Sequence, residues 1–273
     1  GLAIVSYLMI LAWQQDYGNR STHSTTTNAV SNNSAEVAKA TDLPSAPAVA
    51  ANADIPAVVT KADLPVSAPV QSSTGLIHIK TDVLDLQIDP TGGDVVSLAL
   101  PTYTKTVNSK ESFNLLQNDR QRVFIAQSGL IGANGADANP EGRPVYRSLK
   151  TNYQLSANEK TLEVPLYFTD KNGVEIQKIF TFTKGKYDIA LRYNIINHSP
   201  TPWQGLMFAQ LKRDGSEDPS KSHQGMGMST YLGGAWGTIE KNYNKVNFAD
   251  FSDEAVNQTV KGGWTAIVQH YFV

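Results

Sequence analysis

Cysteine is absent from all 273 residues. That removes disulfides, thiolate zinc sites and thiol catalysis together, and leaves the redox compartment open, since oxidising surroundings permit disulfides without requiring them. A charge excess is missing too: 23 Lys and Arg stand against 25 Asp and Glu, a formal net charge of -2. The basic residues are scattered and form no stripe with interleaved aromatics, so no nucleic-acid partner is expected. No glycine-rich loop closes with the Lys-Ser/Thr of a phosphate site, and no Ser, His and Asp stand at a known catalytic spacing. A full-length apolar span is also lacking. A membrane-crossing helix needs about 20 apolar residues, and the nearest approach is LAIVSYLMILAW at residues 2–13.

That segment is uncharged and ends in Trp13, ahead of Gln14, Gln15 and Asp16. No small-x-small cleavage site follows, which favours the end of a transmembrane anchor, with Trp13 at the headgroups, over a signal peptide. The chain begins at Gly1 and stops in an apolar run, so both ends are expected to be edges of a longer protein. Residues 1–17 therefore read as a partial anchor with the lipid bilayer as partner. Residues 18–74 turn to Ser, Thr, Asn, Ala and Pro, as in STHSTTTNAVSNNS. Too few large apolar side chains are present to offset the entropy of ordering this stretch. It is expected to be a disordered linker spanning about 40 Å on average as a flexible coil.

Residues 75–273 read as sheet. At 80–101, KTDVLDLQIDPTGGDVVSLALP, Leu84, Leu86 and Ile88 point one way and Asp85, Gln87 and Asp89 the other, the period of a half-buried strand. Pro90-Thr91-Gly92-Gly93-Asp94 breaks the run, because proline cannot continue a ladder and glycine accepts positive φ. A hairpin is predicted, the first ordered element of the domain, with structural and not chemical work. Further strands are expected at 113–116 and 122–128. The stretch GLIGANGADANPEGRP at 129–144 holds Asn134, Asp137, Asn139 and Glu141, but lacks the spacing and flanking helices of a calcium loop, so it reads as surface.

A meander follows, with strands at 162–169, 174–183 and 187–196 and turns at 170–173 and 184–186. Ile176, Phe180 and Phe182 share a face, and the polar opposite faces imply that one side packs on a second sheet. Pro165 demotes the first of these strands to an edge or a bulge. Residues 203–212 are expected to continue this sheet. Asp214, Glu217, Asp218 and His223 form an acid-histidine cluster on a Gly/Ser/Pro-rich loop; without rigid support it reads as solvated and not as a catalytic or metal site. His78, His198 and His270 stand singly. Aromatic strands are expected at 231–236 and 243–251, a helical turn between 251 and 258, and an apolar ending at 262–273. No catalytic, cofactor-binding or metal-binding residue is assigned.

TDVLDLQIDPTGGDVVSLALP, AQSGL at 126–130 and above all KGGWTAIVQHYFV at 261–273 resemble the N-terminal part of the YidC family of bacterial inner-membrane protein insertases. The resemblance follows the whole chain in order: anchor, polar linker, then the large periplasmic domain of the Gram-negative branch. It implies a mainly β fold, an antiparallel β-supersandwich related to galactose mutarotases, held in the periplasm at the inner membrane. It implies an accessory, non-enzymatic role in the insertion, folding and assembly of inner-membrane proteins, with or without the Sec translocon. The SecDF accessory complex would be one partner, and nascent membrane proteins would be reached through a membrane core that this stretch lacks. On that reading Trp264, Tyr271 and Phe272 form a packed joint coupling the sheet to the membrane module. A carbohydrate-binding or mutarotase-like domain is the alternative that the implied fold raises.

Overall fold

A computed structural model describes residues 43–44, 75–106, 108–216, 231–251, 253, 256–269 and 272–273. The expected anchor, almost all of the linker, Glu217, Asp218, His223, His270 and Tyr271 lie outside the described residues. Fourteen strands follow in chain order: β1 (Ile77–Lys80), β2 (Asp85–Asp89), β3 (Asp94–Thr104), β4 (Ser112–Asn118), β5 (Val123–Ile131), β6 (Arg147–Ser148), β7 (Asn152–Gln154), β8 (Thr161–Thr169), β9 (Val174–Thr183), β10 (Ile189–Asn197), β11 (Leu206–Arg213), β12 (Gly233–Thr238), β13 (Asn244–Asn247) and β14 (Gly263–Val268). They form a seven-stranded sheet ordered β11-β5-β4-β3-β2-β1-β7, a four-stranded sheet ordered β10-β9-β8-β6, and a three-stranded sheet ordered β13-β12-β14.

Period-two patterning decides what faces inward. Leu86 and Ile88 on β2, Ile77 and Ile79 on β1, and Val164 and Leu166 on β8 are buried, and their neighbours in sequence are not. These side chains join Leu98, Phe113, Ile176, Phe180 and Phe182 in one apolar cluster, so the two larger sheets close on each other as an antiparallel sandwich. Each fully buried aliphatic or aromatic chain contributes roughly 1.5–3 kcal/mol of transfer free energy. The small sheet keeps buried centres of its own at Ala235 and Val246, and touches the main cluster through Ile267 and Phe272.

The predicted hairpin is present, with Gly92 at φ 76° and Gly93 at φ 65° turning β2 into β3. It is not the first ordered strand. β1 precedes it, pairing antiparallel to β2 and parallel to β7. The meander appears as β8, β9 and β10. β6 pairs only Leu166 and Tyr167 of β8, so Pro165 lies where β8 has no neighbour on that side, as its missing N–H requires. β11 does not extend the meander. It crosses to the other sheet and pairs residue by residue with β5, and β5 itself runs to Ile131, into what reads as loop in the sequence. Gly129 is what permits this: a Cβ there would overlap the Asp137 carboxylate.

Candidate functional site

The concentration of chemistry in the described residues is a polar network sealed between the two larger sheets. Even-numbered residues of β9 face inward, and at one of those positions, between Ile176 and Phe180, stands Lys178, with no exposed surface. Its Nζ donates to the Gly92 carbonyl at 2.8 Å and to the Ser128 carbonyl at 2.9 Å, and lies 5.8 Å from the Tyr146 and Tyr193 ring centres and 5.4 Å from that of Phe180. The amine thus ties the β2–β3 turn to β5 across the sandwich. The glycine turn makes room for it: a Cβ on Gly93 would stand 3.1 Å from the Lys178 stem.

Arg143 enters from the segment between β5 and β6. Its Nη1 donates to Asp94, its Nε to Asp137 Oδ1 at 2.8 Å, and its Nη2 to the Ser128 carbonyl at 3.0 Å. The guanidinium lies against Gly92, where any Cβ would overlap it. Asp137 sits on a 3-10 turn (Ala136–Ala138) and accepts the Leu130 N–H at 2.8 Å through its other oxygen. Gln127 donates to Asp94 at 2.8 Å and accepts from Gln210 of β11 at 2.9 Å. Segment 129–144, expected as surface, is therefore in part interior: Asp137 is buried because Arg143 folds back and needs a counter-charge out of water.

Burial pushes the Asp94 carboxyl above its ordinary range, against the pull of Arg143 and Gln127. Burial also lowers Arg143, but Asp94 and Asp137 outweigh it and hold the guanidinium above its usual value. The Lys178 ammonium is lowered to about 7, chiefly by burial and also by Arg143, with Asp94 and Asp137 opposing. Burial raises the Tyr146 and Tyr193 phenols. With Lys178 fully covered, a dissolved substrate cannot reach its amine. The arrangement fastens four segments together by charge-assisted hydrogen bonds.

The residues expected to form a joint are divided. Phe272 stacks on Phe113 of β4 at 4.6 Å and meets Tyr103 edge-on at 5.6 Å, so it fastens the end of the chain to the seven-stranded sheet. Trp264, at the other end of β14, stacks on Tyr243 at 5.9 Å and is 44% exposed. Tyr271 lies outside the described residues. Asp214 is a local cap, accepting the Val123 N–H at 2.8 Å; the rest of its expected cluster is not described. A polar cleft of about 310 Å³ opens beside Gln87, Asp89, Ser97, Asn114, Gln117 and Asp119, and no aromatic ring on which a sugar could stack lines it. The sequence gives Lys178, Arg143 and Asp94 no site role and raises Asp137 only as a carboxylate of a calcium loop that the spacing rejects. The one signal of a buried charge is Lys178, in register with an apolar strand face.

The molecule is thus a two-sheet antiparallel β domain with a smaller sheet at its C-terminal end, and none of the helices among the described residues is long and apolar enough to cross a membrane. The family model described as the YidC periplasmic domain matches residues 76–273, and the chain belongs to that family. It is 47% identical over 282 residues to a membrane protein insertase YidC of Pseudomonas fluorescens, and 45% over 273 residues to that of Azotobacter vinelandii. To the protein of the same name from a Marinomonas species it is 43% identical over 274 residues. In each case the match covers all of this chain and 48% of the relative; the chain spans about half the length of these proteins.

Proposed function

We propose that the chain is the anchored periplasmic portion of a bacterial inner-membrane protein insertase, acting as a non-catalytic accessory to the insertion, folding and assembly of membrane proteins. The observation that carries this reading is the coincidence of the family match at 76–273 with the whole sandwich, which begins at β1. Residues 1–17 would hold the chain in the bilayer and 18–74 would tether the domain at 75–273. The three sheets would serve as a rigid body whose end, through Phe272 and Tyr271, couples to the membrane module found in longer relatives. Nascent membrane proteins would be handled by that module. The SecDF complex would be met at an open sheet edge, for which β10, the outer strand of the four-stranded sheet, is suited.

The reading is tested by deleting residues 81–257 from the full-length protein and measuring insertion of a model membrane protein in cells depleted of the native insertase. Most insertion activity is expected to remain. Complete loss overturns the accessory role.

A further inference from the structure

The connection between β12 and β13 carries an anomaly. It is closed by the Thr238 N–H donating to the Lys241 carbonyl at 2.8 Å and the Lys241 N–H donating to the Thr238 hydroxyl at 3.1 Å, which leaves Ile239 and Glu240 at the corner. Turn corners favour Gly, Pro, Asn, Asp and Ser, each for a backbone reason. A branched aliphatic residue has none, and Ile239 is 81% exposed. It is not isolated. The pairing of Gly237 with Trp264 and of Thr238 with Gly263 brings the start of β14 to the same end of the small sheet, where Tyr243, Val260 and Trp264 are also exposed. The Ile239 Cδ1 approaches Gly262, and the Tyr243–Trp264 stack stands beside it.

The charges around this tip are unequal. Lys241, Lys245 and Lys261 are exposed there against Glu240, and the Lys245 ammonium lies over the rings of Tyr231 at 4.7 Å and Tyr243 at 5.5 Å. A side chain this exposed at the corner of a turn projects from the end of the sheet, unlike the broad surface that a protein interface buries. An apolar tip ringed by Trp, Tyr and lysine ammonium groups matches the boundary between acyl chains and anionic headgroups: the aliphatic residue enters, the amphipathic rings sit at headgroup level, and the lysine stems reach up to phosphate.

We infer that the β12–β13 tip, with Ile239 at its apex and Tyr243, Val260 and Trp264 around it, is a docking surface for an anionic lipid bilayer. It is a second membrane contact, separate from the N-terminal anchor and from the Phe272 joint. The inference rests on the proposed placement of the domain beside a membrane. About half the length of the relatives lies outside this chain, and their printed name places them with membrane proteins. The lysines make the contact depend on lipid charge and salt.

The absence of cysteine gives a clean test. Single nitroxide labels are placed at Ile239→Cys and, on the β8–β9 turn, at Asn172→Cys, in the full chain reconstituted with vesicles of mixed phosphatidylglycerol and phosphatidylcholine. Collision with oxygen relative to a water-soluble nickel chelate is expected to rise several-fold at 239 and to stay at its aqueous value at 172. Vesicles of phosphatidylcholine alone, or the triple change of Lys241, Lys245 and Lys261 to Glu, should reduce the rise at 239 by more than half. A label at 239 that keeps its aqueous value overturns the inference, as does one immobilised without gaining oxygen exposure, which would mark a protein contact. Either failure leaves the deletion result unaffected, and loss of insertion on deletion leaves the label result unaffected.

Discussion

Two regions of this molecule invert the usual distribution of side chains. Between the large sheets, Lys178, Arg143, Asp94 and Asp137 lie where apolar residues belong; at the tip of the small sheet, Ile239, Tyr243 and Trp264 stand in water. The sealed region is tied together internally, with five hydrogen bonds from Arg143 and Lys178 to two carboxylates and two carbonyls, although Asp94 Oδ1 and the Tyr146 and Tyr193 hydroxyls find no partner among the described residues. Its misplaced groups have found each other. The exposed region has no such covering among the described residues. A buried network restricts which arrangement of turns and strands can close, whereas an exposed apolar tip contributes nothing to closing and keeps its free energy for a contact.

The sharpest way to break this comparison is to remove one member from each side. Arg143→Met leaves Asp94 and Asp137 without their shared partner in a nearly dry site. Breaking a buried ion pair from one side costs about 3–5 kcal/mol. Ile239→Ser removes a side chain that is already in water and should change stability by less than about 0.5 kcal/mol. Urea unfolding of both variants measures the difference; a large loss from Ile239→Ser would mean that the tip is part of the fold after all. Next in size is Phe272→Ala. The ring is packed on Phe113 and Tyr103, so its loss should cost about 2 kcal/mol and, if it couples the sandwich to a membrane module, should also reduce insertion by the full-length protein.

Much of the sealed region's scaffold was legible in the sequence, and its chemistry was not. Alternation at Leu84, Leu86 and Ile88 and at Ile176, Phe180 and Phe182 marks the strands and their inner faces, because burial on one side of a pleated strand enforces a period of two. The same rule, continued through Lys178, places an amine in the core. A lysine by itself argues for the surface, and two physical rules then disagree. Asp137 left only a misleading trace, a carboxylate weighed as a calcium ligand: it sits in a run of Gly, Ala, Asn and Pro whose composition is that of a loop, and only the return of Arg143 over Gly92, a contact between residues far apart in the chain, brings it inside. The crossing of β11 to the seven-stranded sheet was hidden for a related reason, since alternation tells which face a strand buries and not which strand it pairs with.

The sealed region also predicts a pH dependence that the tip should lack. Facing the Lys178 amine are Asp94 from β3, Asp137 from the 3-10 turn, Arg143, Tyr146 and, from β10, Tyr193. Its value in the fold is about 7 against 10.5 ordinarily, so in between the unfolded chain binds the proton that the folded chain has released. Stability therefore rises with pH across that window, and what is gained at high pH is lost as pH falls through about 7. Tyr146 and Tyr193, raised by burial, act oppositely, but only above about pH 10, where an unfolded tyrosine ionises. Urea midpoints between pH 7.5 and 9.5 should climb, with a slope approaching about 1 kcal/mol per pH unit. Lys178→Met should flatten the climb. A slope unchanged in that variant would mean that another group titrates there.

Among the aromatic residues of the expected joint the smaller effect belongs to Trp264, and it separates the start of β14 from the chain that follows it. Its indole lies over Gly237 and stacks on Tyr243, but nearly half of the residue is in solvent, and a contact made mainly with one other exposed ring contributes about 0.5–1 kcal/mol. Trp264→Ala should therefore lower stability by no more than about 1 kcal/mol, roughly half of the Phe272→Ala loss. If Trp264 and Phe272 instead belonged to one joint, the double variant would deviate from the sum of the singles by more than about 0.5 kcal/mol, because residues that share partners do not add. Additivity is expected, since Phe272 reaches Phe113 and Tyr103 while Trp264 reaches Tyr243. That result would leave Phe272, in the chain that follows β14, holding the sheets together, and the start of β14 free to meet a membrane.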